Sequence, residues 1–307
     1  MTRSRKIAWT VCILVLMALS GSAIFWARPV GVFRAISEIR LRLSGVDSRW
    51  TTVEGYRVHY YVAGPDSGPV VVLVHGLGGR ANDWTNLVPY LSNAGYRVYF
   101  PDLPGYGLSE QPAGFSYSVS DQASVVIGFF DALGLKQVDL GGWSMGGWIV
   151  QRVAAEHPDR VRRLLLFDSV GLHTRPAWNT ALFTPSTGAE LAELDALLMP
   201  NPPNVPGFIA TDILRISKEN AWVIHRALDS MLTGRETTDL LLPQLKMPVL
   251  IVWGAADNIT PLSEGEAMHK LIAQSELKVF SGCGHLAPSD CAAQIGPKVV
   301  DFLKQEQ

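Results

Sequence analysis

From position 56 onward, the chain alternates short apolar runs with longer segments of helical periodicity. This alternation is typical of βαβ units, in which helices pack on both faces of a mostly parallel sheet. Several of the runs are continuous stretches of Val, Leu and Ile, as expected for strands that are buried on both faces. The predicted strands are 57–62, 70–75, 97–100, 138–140, 163–167, 249–253 and 277–280. The sequence therefore predicts an α/β fold with a mostly parallel central sheet and helices on both faces.

The regular alternation breaks between about residues 172 and 245. Helical segments at 189–198 and 219–232 flank a proline-rich run at 200–206 in this stretch. A chain of 307 residues is long enough for one large α/β domain with an insertion, or for two small domains. We therefore predict one domain over 50–307, with an inserted helical cap at about 172–245.

The run 7–27 is uncharged and mostly apolar. At about 1.5 Å per residue, a helix over this run would be roughly 30 Å long, which matches the apolar thickness of a bilayer. Three basic residues precede the run, as in a signal peptide or a signal anchor. The segment 21–23 resembles a cleavage site, but the apolar run continues past it, which favours an uncleaved anchor. We expect 1–27 to be a single-pass membrane anchor or a signal, with the globular domain outside the cytoplasm.

Residues 28–49 are predicted to link this run to the globular domain. Apolar residues recur there at roughly helical spacing with arginines between them, namely Val32, Phe33, Ile36, Ile39 and Leu43. Such a helix could lie on an anionic membrane surface, or it could be an ordinary linker helix. Both interpretations remain open from the sequence.

The charge and the cysteine content exclude several classes of function. The formal net charge of -2 and the 18% of charged residues provide no field that would attract nucleic acid. Cys12, Cys283 and Cys291 are too few for a disulfide framework, and the sequence offers no C-x-x-C or H-E-x-x-H zinc motif. We therefore expect no nucleic-acid partner and no metal. Cys283 and Cys291 could pair in an oxidising compartment, but free buried thiols are the expectation.

The segment 142–146, Gly-Trp-Ser-Met-Gly, follows a predicted strand and precedes a helical pattern. In such a strand-to-helix turn the central serine is lifted above the sheet, and the glycines let backbone pass close on either side. Ser144 is therefore the candidate nucleophile. The alternative is an ordinary turn serine.

A glycine-rich turn at 75–79 follows the strongest predicted strand. Free backbone N–H groups in such a turn can point at a developing oxyanion, and we assign the amides of Leu77 and Met145 to this role. His75 is expected to brace the loop.

A dinucleotide-binding fold is an alternative interpretation of the same turn. Gly76, Gly78 and Ala81 satisfy G-x-G-x-x-A, and Asp102 lies where such folds place a ribose-binding acid. An NAD-dependent oxidoreductase would explain neither the turn around Ser144 nor a histidine near the C-terminus. We therefore predict no cofactor.

A serine hydroxyl needs a base with a pKa near neutrality, and the chain has seven histidines. His285 alone follows the last predicted strand, which gives the chain order nucleophile, acid, base. The acid that orients this imidazole is predicted to be Asp257, with Asp168 as the second candidate, because both follow strands of a parallel sheet.

Together, the motifs H-G-x-G-G, D-x-P-G-x-G-x-S, G-x-S-M-G-G, G-x-x-D-x-x-x-P and G-C-G-H resemble the α/β-hydrolase superfamily over essentially all of 53–303. The resemblance implies a serine hydrolase that cleaves carboxylic esters through an acyl-enzyme, with Ser144, Asp257 and His285 as the triad. The N-terminal anchor and the G-C-G-H ending look like the membrane-anchored monoacylglycerol-lipase and bacterial lipase/esterase branch. C–C bond hydrolases and cofactor-free haloperoxidase-like members keep the serine and remain open, as does a non-catalytic binding protein on the same fold.

The predicted cap is apolar and carries few charges, which indicates a lipophilic ester as the substrate. The residues behind this expectation are Leu197, Leu198, Met199, Phe208, Ile209, Trp222 and Ile224. The alternative is that they form only the core of the cap itself.

Overall fold

The computed structural model of the protein describes residue 23 and residues 25–305. The predicted anchor at 1–27 lies almost entirely outside these residues. Within the described part of the chain, no helix is long and apolar enough to cross a membrane.

One eight-stranded sheet forms the centre of the described structure. Its strands are β1 (Asp47–Val53), β2 (Tyr56–Ala63), β3 (Val70–Val74), β4 (Arg97–Pro101), β5 (Val138–Trp143), β6 (Val161–Phe167), β7 (Val249–Gly254) and β8 (Ser275–Phe280). The helices are α1 (Pro29–Leu43), α2 (Val88–Asn93), α3 (Val119–Ala132), α4 (Met145–Glu156), α5 (Gly188–Leu198), α6 (Gly207–Met231), α7 (Leu262–Leu271), α8 (Ala287–Asp290) and α9 (Ala292–Leu303).

The strand order is β1-β2-β4-β3-β5-β6-β7-β8. All pairs from β4 to β8 are parallel, whereas β1 and β2 add antiparallel pairs at one edge. The predicted α/β fold with a mostly parallel sheet is confirmed. Strand β1 was not predicted; it begins inside the segment 28–49, which was predicted to be a linker. β1 is an edge strand of largely exposed polar residues, so no apolar run marks it.

Alternating residues of the central strands face two separate layers of the core. On β3, Val72 and Val74 pack with α3 and α4, whereas Val71 and Leu73 pack with α2 and α9. All four side chains are fully buried, and each such burial contributes about 1.5–3 kcal/mol. This burial on both faces explains why the strand reads as a continuous apolar run.

Two helices, α5 and α6, lie in the chain between β6 and β7, within the segment predicted to be a cap. Thr187 and Glu190 form a reciprocal capping box at the start of α5. Val223 and Ile224 of α6 are buried beside Gly105 and Gly78, which belong to loops of the sheet domain. The inserted helices are therefore packed on the loops that follow β3 and β4.

Helix α1 is attached to α6 by its first turn. The Val30 amide donates to Oδ2 of Asp212 at 3.0 Å, and Arg28 lies 3.8 Å from the same carboxylate. Further along, the Tyr61 hydroxyl donates to Glu38. The face of α1 that makes none of these contacts is apolar and exposed. The exposed fractions of Phe33, Ile36, Ile39 and Leu43 are 53%, 43%, 58% and 83%. The helix thus turns its apolar stripe away from the domain.

The turn from β5 to α4 brings backbone segments unusually close together. A Cβ atom on Gly146 would lie 2.2 Å from the carbonyl oxygen of Val74, and one on Gly142 would lie 2.2 Å from that of Gly146. Backbone atoms cannot move aside as a flexible side chain can. Only glycine therefore allows α4 to start so close to β3 and β5.

We expect Gly146→Ala to lower the free energy of unfolding by about 1–3 kcal/mol or more, because the added methyl group overpacks the turn. Urea denaturation would measure the loss. Gly188→Ala is the matched control, since a Cβ there meets nothing within 4 Å. Equal stability of the two variants would contradict the proposed steric constraint.

Candidate active site

Ser144 lies at the tip of the turn between β5 and α4, with φ 55° and ψ -119°. Positive φ is rare for a residue with a side chain and is tolerated only where the surroundings fix the backbone. Here the Ser144 amide donates to the carbonyl of Phe167 at 3.0 Å. The turn predicted from the sequence is present, and it holds the hydroxyl above the carboxyl end of the sheet.

The structure brings Ser144, His285 and Asp257 together. Nε2 of His285 lies 2.9 Å from Oγ of Ser144, and Nδ1 lies 2.8 Å from Oδ2 of Asp257. Both distances are those of good hydrogen bonds. All three residues follow strands of the parallel sheet, at the edge where the sequence analysis expected them. This chain of contacts can transfer a proton from the hydroxyl to an imidazole that a carboxylate orients.

The Asp257 carboxylate is surrounded by donors. Its Oδ1 accepts from the amides of Ile259 at 2.8 Å and Thr260 at 2.9 Å. Its Oδ2 accepts from the Thr260 hydroxyl at 2.5 Å, in addition to the contact with His285. The loop after β7 therefore fixes the carboxylate in one orientation, as an acceptor towards the imidazole.

Asp168, the second candidate for the acid, is buried beside this site but makes no hydrogen bond to His285. Its Oδ1 accepts from the Gly254 amide at 2.7 Å, and its Oδ2 has no partner among the described residues. Burial, followed by repulsion from Asp257, raises the pKa of Asp168 well above its ordinary value. A carboxyl group in this environment favours its neutral form. The geometry thus pairs the imidazole with Asp257.

The backbone of His285 is held from two sides. Its amide donates to the carbonyl of Leu198 at the end of α5, at 2.9 Å. Its carbonyl accepts from the indole of Trp143 at 2.7 Å, and the two rings lie 5.6 Å apart. The cap and the serine turn therefore both position the histidine loop. The sequence analysis treated Trp143 only as the variable position of a motif and missed this contact.

Cys283 and Cys291 form a disulfide bond across the histidine loop. The expectation of free buried thiols was wrong. The two cysteines are eight positions apart, and the turn that carries His285 folds back so that α8 brings them within bonding distance. Sequence proximity alone did not reveal that fold-back.

The loop after β3 leaves backbone donors free beside Ser144. Among the described residues, the amides of Leu77 and Met145 donate to no other protein atom. Leu77 and Ser144 line the same cavity. His75 braces this loop, as predicted: its Nδ1 lies 2.8 Å from the Gly76 carbonyl, and its Nε2 accepts from the Leu103 amide at 3.1 Å. Leu77 in this loop and Met145 at the start of α4 thus offer two unused donors beside Ser144.

Asp102, the candidate ribose ligand of the alternative interpretation, is fully engaged inside the protein. Its Oδ1 accepts from the Ala81 amide at 2.7 Å, and its Oδ2 accepts from the Leu108 amide at 3.0 Å. Oδ2 also lies 2.8 Å from Nδ1 of His59, whose Nε2 lies 2.8 Å from the Ser48 hydroxyl. Burial alone would raise the pKa of Asp102, but these hydrogen bonds hold it below its ordinary value. The carboxylate fixes loops and does not fit a nucleotide.

A cavity of about 200 Å³ opens beside Ser144. Its apolar lining includes Leu172, Phe183, Leu228 and Met231. None of the seven cap residues behind the substrate expectation is among its described lining residues. For example, Phe208 packs on Phe25 and Trp26 of the N-terminal segment, and Trp222 packs on Tyr117. The cap supplies apolar residues to the cavity, but from other positions than expected.

Glu264, at the start of α7, also lines this cavity and was missed by the sequence analysis. Its Oε2 is buried without a partner among the described residues. Burial raises the pKa of Glu264, so it keeps its proton to a higher pH than an exposed glutamate would. A protonated carboxyl group can donate a hydrogen bond to a molecule in the cavity. Nothing in the local sequence distinguishes it from a helix-start glutamate.

A family profile described as the alpha/beta hydrolase fold matches residues 69–197 and 225–290. The chain belongs to this family. The order of elements around Ser144, Asp257 and His285 agrees with the family resemblance found in the sequence.

Several characterised proteins are similar to this hydrolase. A 2-hydroxymuconate semialdehyde hydrolase from Pseudomonas sp. strain CF600 is 30% identical over 274 residues, covering 82% of this chain and 92% of the relative. Lipase 1 of Psychrobacter immobilis is 28% identical over 251 residues, covering 77% of each chain. The crystal structure of a membrane phospholipase A superposes with a TM-score of 0.81 at 23% identity, covering 97% of this chain and 99% of the other. The last likeness shows the shared fold.

We expect Asp257→Asn to reduce turnover by about 10⁴-fold with native-like circular dichroism, because an amide cannot stabilise the imidazolium. Asp168→Asn should retain most of its turnover, since the Gly254 amide still finds an acceptor. Steady-state kinetics of both variants would test this. The reverse pattern would assign the acid to Asp168.

The pH dependence of stability is a second readout for Asp168. Because burial raises its folded-state pKa, the folded protein keeps a proton that the unfolded chain releases above about pH 4. The stability that this proton provides is complete below that pH and is lost as the pH rises. The melting temperature of Asp168→Asn should therefore rise relative to that of the wild type between pH 4 and 7. A difference in melting temperature that does not change with pH would contradict the raised pKa of Asp168.

Proposed function

We propose that this protein is a serine hydrolase that cleaves carboxylic esters in two acyl-transfer steps. Ser144 Oγ attacks the ester carbonyl carbon while its proton passes to Nε2 of His285. The oxyanion is stabilised by the amides of Leu77 and Met145. The bond to the alcohol then breaks, and the leaving alkoxide takes the proton from His285. Water, deprotonated by His285, releases the acid and restores the hydroxyl of Ser144.

The continuous chain from Ser144 through His285 to Asp257 is the observation that carries this proposal. A binding protein on the same fold would have no need for this chain and for two unused amides beside the hydroxyl. The hydroxyl is also accessible, since it lines the cavity of about 200 Å³. Nucleophile, base, orienting acid and oxyanion donors are thus present in one place.

A lipophilic acyl group fits this cavity, because Leu172, Phe183, Leu228 and Met231 form an apolar part of its lining. The similarity to Lipase 1 supports the same class of substrate. Thr174, Thr260 and the carboxyl group of Glu264 supply polar groups to the rest of the lining. We therefore propose a medium or long acyl ester as the substrate.

Hydrolysis of a C–C bond is a second candidate. Several relatives at 28–30% identity are named as hydrolases of 2-hydroxy-6-oxo dienoates or of 2-hydroxymuconate semialdehyde. Their dienoate substrates carry a carboxylate, and Arg175 and His173 line the cavity in this protein. The same Ser144 and His285 would serve either reaction, so the bond cleaved has to be measured.

We expect a p-nitrophenyl ester panel of graded chain length to give the highest kcat/KM for medium or long chains, because the cavity buries the chain. Ser144→Ala should abolish both turnover and labelling by a fluorophosphonate probe. Ser263→Ala, an exposed serine of α7, is the matched control. Preference for acetate would contradict the lipophilic substrate, and preference for a 2-hydroxy-6-oxo dienoate over every ester would establish the second candidate.

We also propose that the protein is held at a membrane with its globular domain outside the cytoplasm. The apolar run 7–27 leads directly into α1, whose exposed stripe of Phe33, Ile36, Ile39 and Leu43 would then meet the lipid surface. Arginines on this helix can interact with anionic head groups. A disulfide in the histidine loop is consistent with an oxidising compartment.

The full-length protein should sediment with membranes after a high-salt wash, because a spanning segment is not held by charge. Deletion of 1–27 should release most of it. Residual binding of the truncated form to anionic vesicles should fall in Phe33→Ser/Ile36→Ser, whereas the exposed control Leu240→Ser should leave it unchanged. Release of the full-length protein by salt alone would exclude a spanning anchor.

A further inference from the structure

A second cavity, of about 250 Å³, lies between α1, the loop after β3 and the inserted helices. Its wall from α5 and α6 is mostly apolar and includes Leu191, Leu194, Ile213 and Ile216, with Ser217 and Asn220 as its polar residues. Two arginines line the other side: Arg34 comes from α1 and Arg80 from the end of the loop after β3. The cavity therefore combines a mostly apolar wall with two positive charges.

Neither guanidinium is neutralised within the described part of the chain. No carboxylate oxygen of residues 25–305 lies within 4.0 Å of a guanidinium nitrogen of Arg34 or Arg80, and neither side chain donates a hydrogen bond there to an acceptor in another element. Partial burial, followed by repulsion from Arg80, lowers the pKa of Arg34 to about 10. Arg34 therefore remains charged at neutral pH, and Arg80 repels it across the cavity.

The acids nearest to these arginines are already occupied. Asp212 accepts from Arg215 at 2.7 Å and from the Val30 amide at 3.0 Å. Asp83 accepts from the Arg80 amide at 2.8 Å, and burial raises its pKa. Asp102 is held by His59 and by two backbone amides, as described above. Glu38, one turn after Arg34 on α1, accepts from the Tyr61 hydroxyl and from the side-chain amide of Asn82. Among the residues that the structure describes, the arginine pair therefore has no ion-pair partner.

The arginine cavity adjoins the serine site. A third cavity, of about 270 Å³ and lined by both Ser144 and His285, shares Gly78, Gly79 and Phe183 with it. That third cavity also shares Leu77, Ser144 and Phe183 with the cavity of about 200 Å³. The three cavities therefore adjoin one another, from the acyl cavity past the serine to the arginine pair.

We propose that Arg34 and Arg80 form a subsite for the anionic head group of the substrate, and that this substrate is a phosphate-bearing glycerolipid ester. The inference rests on the proposed esterase function and specifies its substrate class. With the acyl chain in the cavity of about 200 Å³, the glycerol backbone crosses Ser144 and the phosphate reaches the arginines. Guanidinium groups bind phosphate through several parallel hydrogen bonds, and two of them match its charge.

The test compares two substrates that share one ester bond, 1-decanoylglycerol 3-phosphate and 1-decanoylglycerol, with full-length protein in non-ionic detergent. The ratio of kcat/KM for the phosphorylated over the neutral substrate should fall about tenfold or more in Arg34→Gln and in Arg80→Gln, mainly through KM, as expected for loss of a charge-assisted contact of about 1.5–3 kcal/mol. Arg40→Gln, an exposed arginine of the same helix that lines none of these cavities, should keep the wild-type ratio. An unchanged ratio in both test variants would overturn the subsite.

Two further arms separate the possible ligands. Decyl phosphate should inhibit the wild type far better than inorganic phosphate does, whereas equal inhibition would indicate a site for free phosphate and overturn the lipid assignment. Decanoate at matched concentration tests for a carboxylate in place of phosphate, and its stronger inhibition would likewise overturn the assignment. Arg34→Lys keeps the charge and should recover part of the ratio, which a purely structural role of Arg34 would not predict.

Failure of the proposed esterase is distinguishable from failure of this inference. If neither decanoyl ester is hydrolysed, the proposed function fails, and binding of decyl phosphate to Ser144→Ala protein, measured by calorimetry, still tests the subsite. Loss of that binding in Ser144→Ala/Arg80→Gln supports the subsite, and its persistence overturns it. If both esters are hydrolysed with no preference that depends on the arginines, only the inference fails.

Discussion

The close approach of backbone at the turn from β5 to α4 is the constraint on which the site depends. Ser144 has a left-handed backbone conformation, and the strain is tolerated because Gly142 and Gly146 let the helix begin directly against β3. That position brings the Met145 amide beside the hydroxyl, next to the loop that carries Leu77. Nucleophile and oxyanion donors are thus fixed by one packing arrangement rather than by separate contacts.

The histidine loop, by contrast, is positioned from several elements at once. The indole of Trp143 donates to the His285 carbonyl, and the His285 amide donates to the Leu198 carbonyl. The disulfide links Cys283 and Cys291, which lie on either side of His285 in the chain. Because Leu198 ends a helix of the inserted segment, movement of that segment would act directly on His285.

Two neighbouring carboxyl groups in the same region have different surroundings. Asp257 accepts hydrogen bonds from several donors, whereas the buried carboxyl group of Asp168 accepts one and has a raised pKa. The environments of the two carboxyl groups therefore differ: donors surround Asp257, whereas burial raises the pKa of Asp168.

Much of this arrangement could be predicted from the sequence, because apolar runs mark strands buried on both faces and glycines mark the close turn. The strand β1 could not, since an edge strand with polar, exposed residues has no such signal. The disulfide was missed because its formation depends on a fold-back of the chain after His285. Glu264 and the pair of Arg34 and Arg80 were missed for a related reason: their significance lies in burial and in proximity across distant segments, which neither periodicity nor spacing encodes.

The buried contacts of Asp102 have a consequence for how hydrolytic sites are recognised. Ser48, His59 and Asp102 repeat the connectivity of hydroxyl, imidazole and carboxylate, with both distances at 2.8 Å. Yet none of the three lines a described cavity, and the carboxylate is bound by two loop amides. A search for three side chains in the right geometry would therefore report two triads in this one chain. What separates a reactive serine from a structural one is the space beside its oxygen and the uncommitted amides that face that space.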